Sequence, residues 1–184
     1  DLCITPVSAP ENHYVRIKAD NRLEADGTLR GTFTLTAEGQ SDSNIRRIFT
    51  TGFQSEWKST MERQLLAISP KARLLSVDYG KNPKDYQAAP IKITFRYEIP
   101  DYALKGEGEM FFRPMVMNNL YNQVRSYMWI DTSVENRKYG FKDACSRLVE
   151  LDETVQLPAG YKLVSAVKDE TMQGVGADFE GSLV

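Results

Sequence analysis

An Asp26-Gly27 pair lies midway between two runs of alternating polarity, and no other feature restricts the fold as strongly. Before it, Val15, Ile17 and Ala19 alternate with Arg16, Lys18 and Asp20. After it, Leu29, Phe33, Leu35 and Ala37 share one face with Gly31, and Arg30, Thr32, Thr34 and Thr36 share the other. A period of two with one apolar face describes strands packed on one side and wetted on the other. Asp-Gly readily adopts the positive φ of a tight reversal. Residues 14–39 therefore read as a β-hairpin with a dry face and a polar face.

The chain has 184 residues and suits one large domain, or a domain with a long insertion. A chain of this size buries roughly 70% of its unfolded surface, so its core needs neither metal nor disulfide. Its net charge of −2 and interspersed signs argue against broad attraction to nucleic acid or anionic membrane. No apolar run approaches the ~20 residues a membrane-spanning helix requires. The opening Asp1-Leu2-Cys3-Ile4-Thr5-Pro6 has neither the basic start nor the apolar run of a signal peptide. With no initiator Met, and with residues 179–184 reading as the start of a strand, the expectation is a piece of a longer protein, truncated at its C-terminus.

Pro6 and Pro10 mark residues 1–13 as a linker or the tail of a preceding domain, leaving 14–184 as the folded unit. Gly39 to Ser43 form a polar break with good N-cap candidates. Ile45, Ile48 and Phe49 then follow at helical spacing, with Gly52 as a stop. Trp57, Met61, Leu65 and Ile68 form a second helical stripe, ended by Pro70. Alternation resumes at Leu75, Val77 and Tyr79. It is cleanest at Ile91, Ile93, Phe95, Tyr97 and Ile99, where Pro100 ends it. Further strands are expected at residues 105–113, with Gly106 and Gly108 weakening the start, at Val149 to Leu157, and at Tyr161 to Val167. Residues 114–139 fit a short helix through Leu120, Val124 and Tyr127, or a strand from Trp129-Ile130. The expected class is mainly β: an antiparallel β-sandwich with a short helical insertion near residues 43–69.

Residues with catalytic chemistry are sparse. The single histidine, His13, lies in a turn-forming context, Pro10-Glu11-Asn12, without an orienting motif. Cys3 and Cys145 read as two separate thiols; if bridged, they would close a loop worth on the order of 4–5 kcal/mol. One His and two distant Cys make no zinc tetrad. Asp20, Glu24 and Asp26 lack the spacing of a calcium loop, and Gly106-Glu107-Gly108 lacks the third glycine of a phosphate loop. The acidic pairs Asp152-Glu153 and Asp169-Glu170 read as solvated faces. Tyr121, Tyr127, Trp129, Tyr139 and Phe141 concentrate aromatic rings in one segment. They are expected to fill the core or a domain contact, and otherwise to offer stacking surfaces to sugars or peptides.

Several short motifs carry a resemblance. Thr5-Pro6, Pro10-Glu11-Asn12, and the run Leu23-Glu24-Ala25-Asp26-Gly27-Thr28-Leu29-Arg30-Gly31 resemble the β-domain that follows a transglutaminase-like core in certain exported bacterial proteins. Arg46-Arg47, the segment 97–103 and Leu157-Pro158-Ala159-Gly160-Tyr161 suit the same pattern, so the likeness spans nearly the whole chain. It implies an accessory β-sandwich domain, periplasmic or extracellular, whose partner is the neighbouring transglutaminase-like domain. The family's catalytic Cys, His and Asp belong to that core, and Cys3 and His13 lack the motif around its nucleophile.

The expected function is a non-catalytic, structural accessory domain of such an exported protein. It would use no cofactor or metal, no nucleic-acid partner and no membrane insertion. The alternative is a glycan- or peptide-binding module acting through residues 121–141, with Tyr121, Tyr127 and Trp129 as contacts.

Overall fold

The fold is taken from a computed structural model that describes residues 6–88, 90–118, 127, 133, 136, 138–139, 143–166, 168–174 and 176–183. The hairpin is present. Strands β1 (Val15–Leu23) and β2 (Leu29–Ala37) pair antiparallel, Val15 facing Ala37 and Leu23 facing Leu29. Glu24 N–H donates to Thr28 O at 2.8 Å, Thr28 N–H donates to Asp26 Oδ1 at 2.8 Å, and Gly27 holds φ +88°.

Two helices follow, α1 (Gly39–Thr51) and α2 (Trp57–Leu66), then β3 (Arg73–Asp78) and β4 (Ile91–Ile99). After β4 come the two-residue strands β5 (Leu104–Lys105) and β6 (Met110–Phe111), then β7 (Val149–Gln156), β8 (Glu170–Gln173) and β9 (Asp178–Gly181). The main sheet has the order β3-β4-β2-β1-β7. Its first four strands pair antiparallel; β7 lies parallel to β1, Val15 facing Val149 and Ile17 facing Leu151. The pairs β5–β6 and β8–β9 form two separate hairpins.

The protein is thus mainly β, but the sheet is mixed, not wholly antiparallel. Beyond the five-stranded sheet the described residues form only the two-stranded pairs β5–β6 and β8–β9, and the expected sandwich is not established. The two helices pack on the core face of the main sheet. Ile45 and Phe49 of α1 and Trp57, Met61 and Leu65 of α2 are buried with Ile17, Phe33, Leu35, Ile93 and Phe95 in one core. Phe33 and Phe95 stack with ring centroids 4.2 Å apart, and Phe49 meets Trp57 edge-on at 5.1 Å. Fully burying each such side chain contributes roughly 1.5–3 kcal/mol, so this seam dominates the stability of the fold.

Four local departures have physical causes. Helix α1 starts at Gly39, four residues before the expected insertion, so the polar break is its first turn. No side chain caps it locally; Gln40 N–H donates to His13 Nδ1 at 3.1 Å, and Ser41 Oγ donates to His13 O at 2.7 Å. The cap arrives from a 3-10 turn, Pro10–His13, which periodicity cannot register. In β3 a register shift between Leu74 and Ser76 leaves Leu75 half-exposed, and Leu74 takes the packed position instead. Residues 161–166 are not in a strand although their pattern alternates: Tyr161, Leu163 and Val164 are all exposed, so no packed face rewards pairing. Residues 105–113 likewise yield only the short hairpin β5–β6, bent where Gly106 N–H donates to Glu109 O.

Helix α1 also pins a loop. The Arg46 side chain is 2% exposed, with Nε 2.7 Å from Asp42 Oδ2 and Nη1 donating to the carbonyls of Pro83 and Asp85. Asp42 Oδ1 in turn accepts Ile91 N–H at 2.7 Å, which starts β4. One buried charge pair therefore fixes α1, the loop after β3 and the first residue of β4.

Candidate functional site

Alternation sends every second residue of β1, β2, β4 and β7 away from the helices, onto a sheet face that the described residues leave open. Thr34 and Thr94 hydroxyls meet across it at 3.1 Å, and Arg16 pairs with Glu150 across β1 and β7. Toward the Asp26-Gly27 end this face sinks into an open depression of about 460 Å³. Its floor includes the backbone at Asn21, Gly31 and Tyr97, and its rim carries Arg22, Arg30, Arg96, Asp20, Thr32 and Thr154.

Strand register assembles that rim. Arg22 stands directly opposite Arg30, and Arg30 opposite Glu98. One row along, Thr154, Asp20, Thr32 and Arg96 line up across β7, β1, β2 and β4. The Glu98 carboxylate is shared, with Arg30 Nη2 at 3.5 Å and Arg73 Nη1 at 3.2 Å. Arg22 Nε lies 3.5 Å from Glu24 Oε1. Arg96 has no ion pair among the described residues.

Beneath the floor lies a polar network on the core face. The Tyr97 hydroxyl, wholly buried, donates to Asn21 Oδ1. Asn21 Nδ2 donates to Glu153 Oε1 at 2.7 Å, and Val116 N–H donates to Glu153 Oε2 at 2.9 Å. Gly31 makes room for this: a Cβ there would collide with Asn21 Oδ1 and with the Asp20 carbonyl. Desolvation raises the Glu153 carboxyl above its ordinary range, opposed by hydrogen bonds from Val116 N–H and Asn21. Burial, and then the nearby Glu153, drive the Tyr97 phenol far above its usual value. Burial likewise pushes Tyr102 up to about 12; its hydroxyl donates to Arg113 O at 2.7 Å. Both Glu153 oxygens are engaged, so the network braces the floor of the depression from below.

The residues singled out from sequence fall differently. Tyr121 and Trp129 lie outside the described residues. Tyr127 is half-buried against the core, with the Arg147 guanidinium 4.0 Å from its ring centroid. Glu153 is not on a solvated face, whereas its neighbour Asp152 is exposed. The difference is one of strand parity: β7 turns Val149, Leu151, Glu153 and Val155 toward the core. Asp169 Oδ1 accepts Leu183 N–H at 3.0 Å. Cys145 is a half-buried free thiol 3.5 Å from Arg147 Nη2, and Cys3 lies outside the described residues. Among the described residues no group of three His, Cys, Asp or Glu side chains could hold a metal ion. No described helix is long and apolar enough to cross a membrane. No family model, no curated protein and no solved structure matches the chain.

Proposed function

We propose that this chain is a non-catalytic accessory domain of a larger exported bacterial protein, periplasmic or extracellular, standing beside a transglutaminase- or protease-like core of the same parent. The single observation that supports it most is how the only imidazole is used. His13 Nδ1 accepts the Gln40 amide and its carbonyl accepts Ser41 Oγ, so the residue serves as a helix cap. A general base must instead present that nitrogen to a nucleophile. Cys145 engages Arg147, whose Nε donates to Ser41 Oγ at 3.1 Å, so this thiol too belongs to a structural junction.

The test is turnover. The purified chain should show no cysteine-dependent amidase or acyl-transfer activity above buffer, and Cys3→Ala, Cys145→Ala and His13→Ala should leave that turnover reading unchanged. Turnover abolished by either cysteine substitution overturns the proposal.

A binding role for peptides or glycans is a second reading, favoured by the arginine-rimmed depression. The open sheet face supports it better than the aromatic segment does, because Tyr127 is packed inward.

A further inference from the structure

We propose that the depression on the open sheet face is a binding site for an acidic peptide segment in extended conformation, held by Arg22, Arg30 and Arg96. Like charges directly opposed across an antiparallel ladder repel, yet Arg22 and Arg30 face one another there. The carboxylates nearest them are only partial partners. Glu98 is divided between Arg30 and Arg73, and Glu24 reaches Arg22 at no less than 3.5 Å. Arg96 adds a third guanidinium, exposed and without an ion pair among the described residues. Within the depression Asp20 is the one acidic side chain set against these three. The pocket therefore carries an excess of planar, bidentate donors suited to carboxylates.

Spacing selects the class of ligand. Arg30 and Arg96 occupy diagonal positions on β2 and β4, where side chains stand roughly 7–8 Å apart. Alternate residues of an extended peptide are spaced by roughly 6.5–7 Å. A carboxylate seated on Arg30, flanked by Arg22, thus places the carboxylate two residues along beside Arg96 when the peptide crosses the strands diagonally. Thr32 and Thr154 supply hydroxyls to the intervening backbone, Asp20 accepts a peptide N–H, and Leu75 gives the chain an apolar contact. The rigidity comes from below, where Tyr97, Asn21 and Glu153 hold the three strands in register.

The probe is a fluorescein-labelled alternating glutamate–serine peptide, titrated by fluorescence anisotropy with the wild-type chain and with Arg22→Gln, Arg30→Gln, Arg96→Gln and Lys58→Gln. Saturable binding is expected, weakened by added salt. Each arginine substitution should raise Kd at least tenfold, while Lys58→Gln, on α2, leaves it unchanged. Circular dichroism should show every variant folded, since all four side chains are exposed. The matching glutamine–serine peptide should not bind. Equal binding of that neutral peptide, indifference to all three arginine substitutions, or tighter arginine-dependent binding of oligogalacturonate or inorganic phosphate would each overturn the proposal. None of these outcomes bears on the accessory role, which stands or falls on turnover.

Discussion

The Tyr97 hydroxyl donates to Asn21 Oδ1 in the space left by the missing side chain of Gly31, and so ties three adjacent strands below the floor of the depression. Asn21 interrupts the apolar face of β1, and a buried amide of this kind is tolerated only when its hydrogen bonds are made. Tyr97→Phe should therefore lower stability by about 1–3 kcal/mol, the usual cost of orphaning a buried acceptor. The midpoint of urea unfolding, with unchanged slope, reads this directly.

Gly31→Ala attacks the same place by crowding. The new methyl meets Asn21 Oδ1 and backbone, not the yielding end of a long side chain. Overpacking should cost about 1–3 kcal/mol. Because both changes disturb one network, the double variant with Tyr97→Phe should lose less than the sum. Additive losses in urea titrations would show that the two residues act independently.

Glu153 sets a pH dependence whose sign follows from its environment. Its carboxyl titrates higher in the folded state than the ordinary 4.5, chiefly through desolvation. The folded protein then holds that proton more tightly than the unfolded chain does. This contribution is complete below the unfolded value and fades as pH rises through the folded one. Compared with Glu153→Gln, the wild type should gain stability as pH falls from neutral toward 4.5. Urea midpoints of the two proteins at stepped pH provide the comparison, and parallel curves would contradict it.

His13→Ala removes the acceptor for Gln40 N–H at the start of α1. Losing a helix cap costs about 0.5–2 kcal/mol. Amide hydrogen exchange should accelerate at Gln40 and Ser41 before it does in β4, a local signature that distinguishes fraying from global unfolding.

Arg46→Met should be the most severe of these changes. It leaves the Asp42 carboxylate, 14% exposed, without its 2.7 Å partner and frees the carbonyls of Pro83 and Asp85. Breaking a buried pair from one side costs about 3–5 kcal/mol. Chemical unfolding should register a loss of that size, and protease sensitivity should rise first in the loop between β3 and β4.

Much of this architecture was open to inspection in the residues themselves. Strict alternation marked β1, β2 and β4, and stripes of Trp57, Met61, Leu65 and of Ile45, Phe49 marked the helices, because each pattern is local. Asp26-Gly27 marks the reversal but not its register: the loop closes over three residues, Glu24 N–H donating to Thr28 O, and that sets Arg22 opposite Arg30. What stayed hidden depends on partners distant in the chain. Arg96 joins those two arginines only once β4 is placed beside β2. Glu153 looked solvated because one polar neighbour, Asp152, matched it in composition; only pairing with β1 decides which of the two points inward. The bulge at Leu75 and the cap from His13 leave no periodic trace. Tyr127 takes its direction from the Arg147 guanidinium across its ring, a contact that no local pattern encodes.

Strand β7 reaches its place beside β1 only after more than a hundred intervening residues have been made. Until then the outer edge of β1 keeps a row of bare amides and carbonyls, beginning with Val15, whose N–H finally donates to Leu148 O at 2.8 Å. Such distant pairing is slow to close, and an unsealed edge invites other chains to pair with it. During synthesis the N-terminal hairpin must therefore wait, half-finished and adhesive, and any fragment ending before Val149 inherits that stickiness permanently.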